Sequence, residues 1–244
     1  MIKIKWLSNA GFEIISEKGK IVYIDPFLSG NLNAPIGIND IKEAHIVLVT
    51  HGHRDHMGDA IEICRKTNAI LIAGSDVRFY AKKMGITPER IIHVPIGGTY
   101  SIHGIEIRST DAKHESFIED EGKIYSGIPC GYLITLENKM KIYHAGDTGL
   151  FSDMKSVIGE IYKPDIALLP IGGRVSLTIE DATIATSWIR PKLVIPMHYG
   201  LTDKEFLPKI DSKEFEKKIN EFIPDVKVVI IKPGEAYRVN STLS

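Results

Sequence analysis

The sequence contains no glutamine and two cysteines among 244 residues. Cys64 sits inside a helical pattern and Cys130 between Pro129 and Gly131. They read as buried or free thiols of a reducing compartment, not as a disulfide framework. No apolar run approaches the length that crosses a bilayer. The start, Met1-Ile2-Lys3-Ile4-Lys5-Trp6, alternates apolar and polar and lacks the apolar block of a secretion signal. A cytoplasmic protein with no membrane partner is expected. Blocks of like charge are missing too: 30 basic residues stand against 31 acidic, for a formal net charge of -1. That leaves no basic groove for bulk nucleic acid, only room for a local patch.

What remains is ordinary globular composition, 43% hydrophobic and 25% charged, enough for a sizeable core in 244 residues. The absence of glutamine beside abundant Ile, Lys and Glu leans towards a thermophilic source. No repeat, linker or low-complexity segment divides the chain, so one domain over 1–244 is expected.

One stretch organises the rest: Thr50-His51-Gly52-His53-Arg54-Asp55-His56-Met57-Gly58-Asp59. Before it, His45-Ile46-Val47-Leu48-Val49 reads as a buried strand. After it, residues 59–65 carry apolar side chains at helical spacing. The polar cluster therefore lies on a strand-to-helix turn. Imidazole nitrogen and carboxylate oxygen suit zinc, manganese or iron. His-x-His-x-Asp-His packs three imidazoles and one carboxylate into six residues, more than one metal can easily use. The pattern points to two metals.

In chain order, residues 2–7, 12–15 and 21–24 read as an antiparallel meander, the last ending at Asp25-Pro26. Asp25 fits a turn residue, or a buried carboxylate that orients a ligand. Residues 28–40 form a loop. The strand at 46–50 precedes a helix near 58–67, a strand at 69–73, a helix near 75–84 and a strand at 91–94, an α/β alternation. Two strands within 99–111 lead to His114, which taken alone reads as a surface histidine sooner than a ligand. Residues 115–127 are polar and suggest a mobile flap. A hairpin over 130–136 and 139–144 runs into Tyr143-His144-Ala145-Gly146-Asp147-Thr148-Gly149. Small residues flank Asp147, so the backbone can approach closely; the aspartate could also cap a helix near 150–158. A strand at 165–169, a helix from Thr178 to about 189, a strand at 193–197 ending at His198, and a helix over 213–222 follow. Residues 226–231 and 236–239 read as a closing hairpin. Meander, helices, meander, helices add up to two sheets with helices outside, an α/β four-layer αββα sandwich.

Asp25, the His51–His56 turn, His114, Asp147 and His198 stand in the order of the metallo-β-lactamase superfamily, which this chain resembles over nearly its whole length. Tyr143-His144-Ala145-Gly146-Asp147-Thr148-Gly149-Leu150-Phe151, Leu169-Pro170-Ile171-Gly172 and Pro196-Met197-His198-Tyr199 are similar to the metal-dependent hydrolases close to the ascorbate-6-phosphate lactonases. The resemblance implies one metal on His51, His53 and His114, a second on Asp55, His56 and His198, and Asp147 between them. It places Asp25 behind the ligands, and His144 on the strand before Asp147 takes a supporting role. It implies a dinuclear hydrolase, zinc first with manganese or iron as alternatives. A hydroxide bridging the metals attacks a small ester, lactone or phosphodiester, with Asp55 or Asp147 moving the proton. Arg174 and Tyr199 are candidate contacts for an anionic group. Two segments depart from the group: Gly173-Arg174-Val175-Ser176-Leu177 and Gly200-Leu201-Thr202. Both border the site, so substrate preference stays open. A metal-dependent nuclease and a di-iron oxidoreductase are the alternatives. The second expects glutamate where His53 stands. A homo-oligomer is compatible with the family.

Overall fold

The computed structural model describes residues 1–200 and 210–239. Leu201 and Thr202 of the second departing segment lie outside them. One sheet holds β1 (Ile2–Trp6), β2 (Phe12–Ile15), β3 (Ile21–Ile24), β4 (Ile46–Val49), β5 (Ile70–Ala73) and β6 (Ile91–Ile92), in that spatial order. The other runs from β7 (Thr99–Ile102) and β8 (Ile105–Asp111) to β11 (Cys130–Thr135), β12 (Lys141–His144), β13 (Ile166–Pro170), β14 (Leu193–Met197) and β15 (Lys227–Val228). Between β8 and β11 the chain makes a separate two-stranded ribbon, β9 (Phe117–Asp120) and β10 (Lys123–Ser126). β16 (Ala236–Val239) closes the first sheet by pairing with β1.

Period-2 alternation builds the layers. Ile46 and Leu48 of β4 face a core shared with Ile134, Ile142, Leu168 and Ile195 of the second sheet. Val47 and Val49 face the other way, onto helices α2 (Ala60–Thr67) and α3 (Ser75–Lys83). Leu133, Tyr143, Ala167 and Val194 face out of the second sheet onto a π-helical segment, Met154–Tyr162, and helices α4 (Ile179–Ile189) and α5 (Ser212–Phe222). The result is the expected αββα sandwich. Thr178 caps α4, its hydroxyl accepting from Asp181 N–H at 3.1 Å. Among the described residues no helix is long and apolar enough to cross a membrane.

Four expectations need correction. The helix near 58–67 starts two residues later, at Ala60, and a separate single turn, Arg54–Met57, precedes it. Gly58 makes the break between them with φ +43°, a conformation that L side chains rarely adopt. The helix near 150–158 begins later, because Gly149 N–H is tied to the Lys113 carbonyl at 3.0 Å and keeps the chain extended. Residues 226–231 and 236–239 are not a hairpin. β15 runs parallel to β14, and the chain then crosses the sandwich edge to β16, with Val229 and Ile231 entering the shared core. The 115–127 flap is an anchored ribbon. Ile118 is buried against α3, Lys83 pairs with Asp120 and Glu121, and Tyr80 meets the Tyr125 ring edge-on at 5.7 Å.

Gly58 also docks the loop after β3. A Cβ there would lie 2.6 Å from Phe27 Cα, and Asp59 N–H donates to the Pro26 carbonyl at 2.9 Å. Gly58→Ala should therefore destabilise the protein by roughly 2–4 kcal/mol, since backbone and not a flexible side chain must move. Urea unfolding measures it; a loss below about 0.5 kcal/mol would contradict the close approach.

Candidate metal centre

β4 is buried along its whole length and delivers Thr50 and His51 to the sheet's end. Asp25, at the end of neighbouring β3, sits at φ +46° and is fully buried. Its Oδ1 accepts from Thr50 N–H at 2.8 Å, and its Oδ2 accepts from the Thr50 hydroxyl at 2.7 Å. His56 Nδ1 lies 2.8 Å from the same Oδ2. The network assigns the tautomers. Because the Thr50 hydroxyl donates to Asp25, His51 Nδ1–H donates to Thr50 Oγ1 at 3.0 Å, and His51 Nε2 carries the lone pair. His56 Nδ1–H donates to Asp25, which turns Nε2 inward.

The second sheet brings the other donors. Gly146, at φ +63°, lets the Asp147 loop press on the metal turn: a Cβ there would stand 3.0 Å from Thr50 Cβ. His144 accepts from Gly146 N–H at Nδ1 (3.1 Å) and donates from Nε2 to the Ala10 carbonyl (2.8 Å), which supports that loop from behind. His198 follows β14 at φ +58°, its N–H held by the Asn9 carbonyl at 2.9 Å. A Cβ at Gly172 would come within 3.0 Å of His198 Nδ1, so the loop after β13 packs closely on this ring.

These elements converge on Asp147. Its Oδ2 lies 3.1 Å from His198 Nε2, 3.4 Å from His56 Nε2 and 3.9 Å from His114 Nε2. His198 Nε2 is 3.6 Å from Asp55 Oδ2. His53 Nδ1 is 3.0 Å from His51 Nε2 and 3.4 Å from His114 Nε2. Three donor sets lie within metal-binding reach of one another: His51, His53 and His114; Asp55, His56 and His198; and His51, His56 and Asp147. His56 Nε2, both His198 nitrogens and Asp147 Oδ1 are buried without a hydrogen-bond partner among the described residues. Imidazole lone pairs that face each other and a carboxylate across about 3 Å need protons or cations between them. The donor set therefore fits metal.

Without metal, protons fill part of that need. Burial lowers the His51, His53 and His114 rings, His51 most strongly. Burial would lower His56 as well, but Asp147 and Asp25 outweigh it and hold the ring well above its ordinary value. His198 is likewise pushed up to about 9, against burial, by Asp147 and Asp55. Despite their burial, Asp147 and Asp55 stay well below the carboxylate range because of His198 and His56.

A cavity of about 750 Å³ opens over the centre. Arg174 and Val175 line it on one element, Phe117 and Ile118 on the ribbon, and Arg54 and Met57 beside the donors. Tyr199 is not brought to this wall. Its ring stacks on Trp6 at 5.1 Å, between the sheets and the outer helices. A residue read only as a turn, Asn9, belongs to the site. Its amide donates to the Asp55 carbonyl at 2.9 Å and reaches Asp55 Oδ2 at 3.3 Å, while its own carbonyl holds His198. A polar residue between apolar strands was the signal, and its pairing across 46 positions was not visible in the sequence.

Fold and donor set together define a metallo-hydrolase. A description of the "Beta-lactamase superfamily domain" matches residues 3–198. A "UPF0173 metal-dependent hydrolase" of Methanosphaera stadtmanae is 44% identical over 97% of this chain and 99% of its own length. One of Methanopyrus kandleri is also 44% identical, over 97% and 99%. The structure of Igni18, "a novel metallo hydrolase" from Ignicoccus hospitalis, superposes with TM-score 0.83 at 33% identity, covering 98% of this chain and 99% of that one. The chain belongs to the β-lactamase superfamily and, within it, to the UPF0173 metal-dependent hydrolases. It is an enzyme of that class.

Two expectations follow. His56 and His198 have folded values raised above the ordinary 6.5. Their charged forms thus stabilise the metal-free fold fully below 6.5, and that stability is lost as pH rises towards about 9. The Tm of metal-free protein should fall between pH 7 and about 9, and metal loading at pH 7 should release protons, read by titration calorimetry in buffers of different ionisation enthalpy. A flat Tm and no proton release would contradict the ion pairs. Asp25→Asn should lower metal affinity roughly 10- to 100-fold, measured by competition with a chelator.

Proposed function

We propose that the chain is a dinuclear hydrolase of small esters, lactones or phosphodiesters, with zinc as the first metal to test. The observation that carries the reading is the double donor set about Asp147, with its bare buried nitrogens and carboxylate oxygen. His51, His53 and His114 would hold one cation and Asp55, His56 and His198 the other, with Asp147 shared. When bound, such cations would lower the pKa of a bound water and polarise a carbonyl or phosphoryl oxygen.

The chain's own groups do the rest. Asp25 and Thr50 keep His51 and His56 in the tautomers that offer Nε2. His144 and Asn9 fix the backbones that carry Asp147, Asp55 and His198. Asp55 and Asp147 carry the carboxylates that face the histidine cluster, Oδ2 of each within 3.6 Å of His198 Nε2, and are the groups that would move the proton. Arg174, in the cavity wall, suits an anionic substituent. The cavity volume of about 750 Å³ suits a small molecule and favours this reading over a nuclease.

His53→Ala and Asp55→Ala each remove one donor from a different triad. Both should retain the far-ultraviolet spectrum of the fold, fall from nearly two bound zinc ions per chain, and lose hydrolysis of p-nitrophenyl acetate and of a γ-lactone by roughly a thousandfold or more. Full activity in either folded variant would refute the dinuclear reading.

A further inference from the structure

The ribbon that walls the cavity is joined to the metal turn through a carboxylate that the hydrolytic reading leaves unused. Asp76 lies in the first turn of α3 and is 1% exposed. Its Oδ2 accepts from the Ser116 hydroxyl. Ser116 Oγ in turn accepts from the N–H of Gly52, between His51 and His53, at 2.9 Å. The Ser116 carbonyl accepts from Gly127 N–H at 3.1 Å and so closes the base of the ribbon. Glycines make the room: a Cβ at Gly52 would stand 2.7 Å from Asp76 Oδ2 and 2.8 Å from Ile118 Cγ1, and one at Gly127 would stand 2.8 Å from Asp76 Oδ2. One carboxylate thus touches the metal turn, the start of the ribbon and its end.

Its other oxygen, Oδ1, is buried with no hydrogen-bond partner among the described residues. A buried carboxylate that is half satisfied is an expensive way to fill space, and an apolar side chain would be more stable there. What the charge supplies is orientation: it draws the Ser116 proton to itself, which leaves the Ser116 lone pair for Gly52 N–H. Phe117 and Ile118, the next two residues, line the cavity.

We propose that Asp76 is a positioning residue which, through Ser116, fixes the height of the ribbon over the metal turn and thereby sets the width of the cavity for substrate. The proposal rests on the reading of this cavity as the substrate site. The Ser116 hydroxyl adds a directed polar link to the packing of Phe117 and Ile118 on His53 and Gly52, so loosening it alters substrate binding before it alters the metals.

The test uses zinc-loaded protein and p-nitrophenyl acetate. Asp76→Ala and Ser116→Ala should each raise KM about fivefold or more while kcat changes less than about twofold and zinc content stays at the wild-type value. Ser116→Thr, which keeps the hydroxyl, should restore KM. The double variant should be no worse than the worse single one, because both cut the same relay. Ser116→Ala, the smaller change, carries the test if Asp76→Ala does not fold. Hydrogen exchange of the zinc-loaded protein gives a second readout free of catalysis: residues 117–126 should exchange faster in both variants, and β1 should not. An unchanged KM in folded, loaded variants overturns the proposal, as does loss of zinc and kcat at constant KM. Should the wild type leave the ester intact, the small-ester reading fails by itself. Exchange then decides alone: faster ribbon exchange supports the relay, and unchanged exchange overturns it.

Discussion

The site depends on one buried carboxylate that binds no metal in this reading. Asp25 stands at the end of β3 and accepts from Thr50 N–H, the Thr50 hydroxyl and the His56 ring. Each bond removes a freedom. The first sets the path of the chain where β4 becomes the metal turn. The second spends the Thr50 proton, so His51 must donate from Nδ1. The third does the same for His56. Two imidazoles therefore present Nε2 to a common space before any metal arrives, which lowers the reorganisation that binding requires. A carboxylate at φ +46° is unfavourable by itself, and it persists because three hydrogen bonds over-determine it. His198 repeats the device: its φ of +58° is held by the Asn9 carbonyl and the close packing of Gly172.

The centre is assembled across the sandwich. Asp25 and the His51–His56 turn come from the first sheet, and His114, Asp147 and His198 follow strands of the second. Asn9, in the β1–β2 turn, touches both groups through Asp55 and His198. The distance between the two halves is set by the shared core, where Phe12, Ile24, Tyr132 and Ile142 are essentially fully buried. Truncating a buried aromatic in such a layer costs on the order of 3–5 kcal/mol. Here it would also let the two donor groups drift, so core packing and metal affinity are coupled.

Legibility followed sequence distance and periodicity. The strands buried along their whole length, β4 and β14, announced themselves as apolar runs, and candidate donors follow both; Asp147 follows β12, whose last three residues are buried. The seven expected donors, brought by the fold to one point, sit at strand ends where polar residues interrupt such runs. Asp25 and His144 also lie where a polar residue closes an apolar strand. Asn9, Ser116 and Asp76 were illegible as parts of the site because their meaning lies in side-chain hydrogen-bond partners 40 or more positions away along the chain. Tyr199 was misleading for the opposite reason: adjacency to His198 suggests the cavity, but its ring turns to Trp6. The last two strands failed as a hairpin because a short turn between apolar runs looks the same whether it stays in one sheet or crosses to another.

The unpaired atoms at the centre tie these points together. A fold that leaves His56 Nε2, both nitrogens of His198 and Asp147 Oδ1 buried with no hydrogen-bond partner among the described residues gives up stability for a donor set that suits cations. In the metal-free protein, protons on His56 and His198 offset part of that cost through Asp25, Asp55 and Asp147. Cations must displace those protons, so their affinity is the difference between two ways of neutralising the same carboxylates. The carboxylates are thus shared between folding and binding. Replacing Asp147 by a neutral isostere would remove both competitors at once, weakening metal binding while also removing the charge that holds the two histidines protonated.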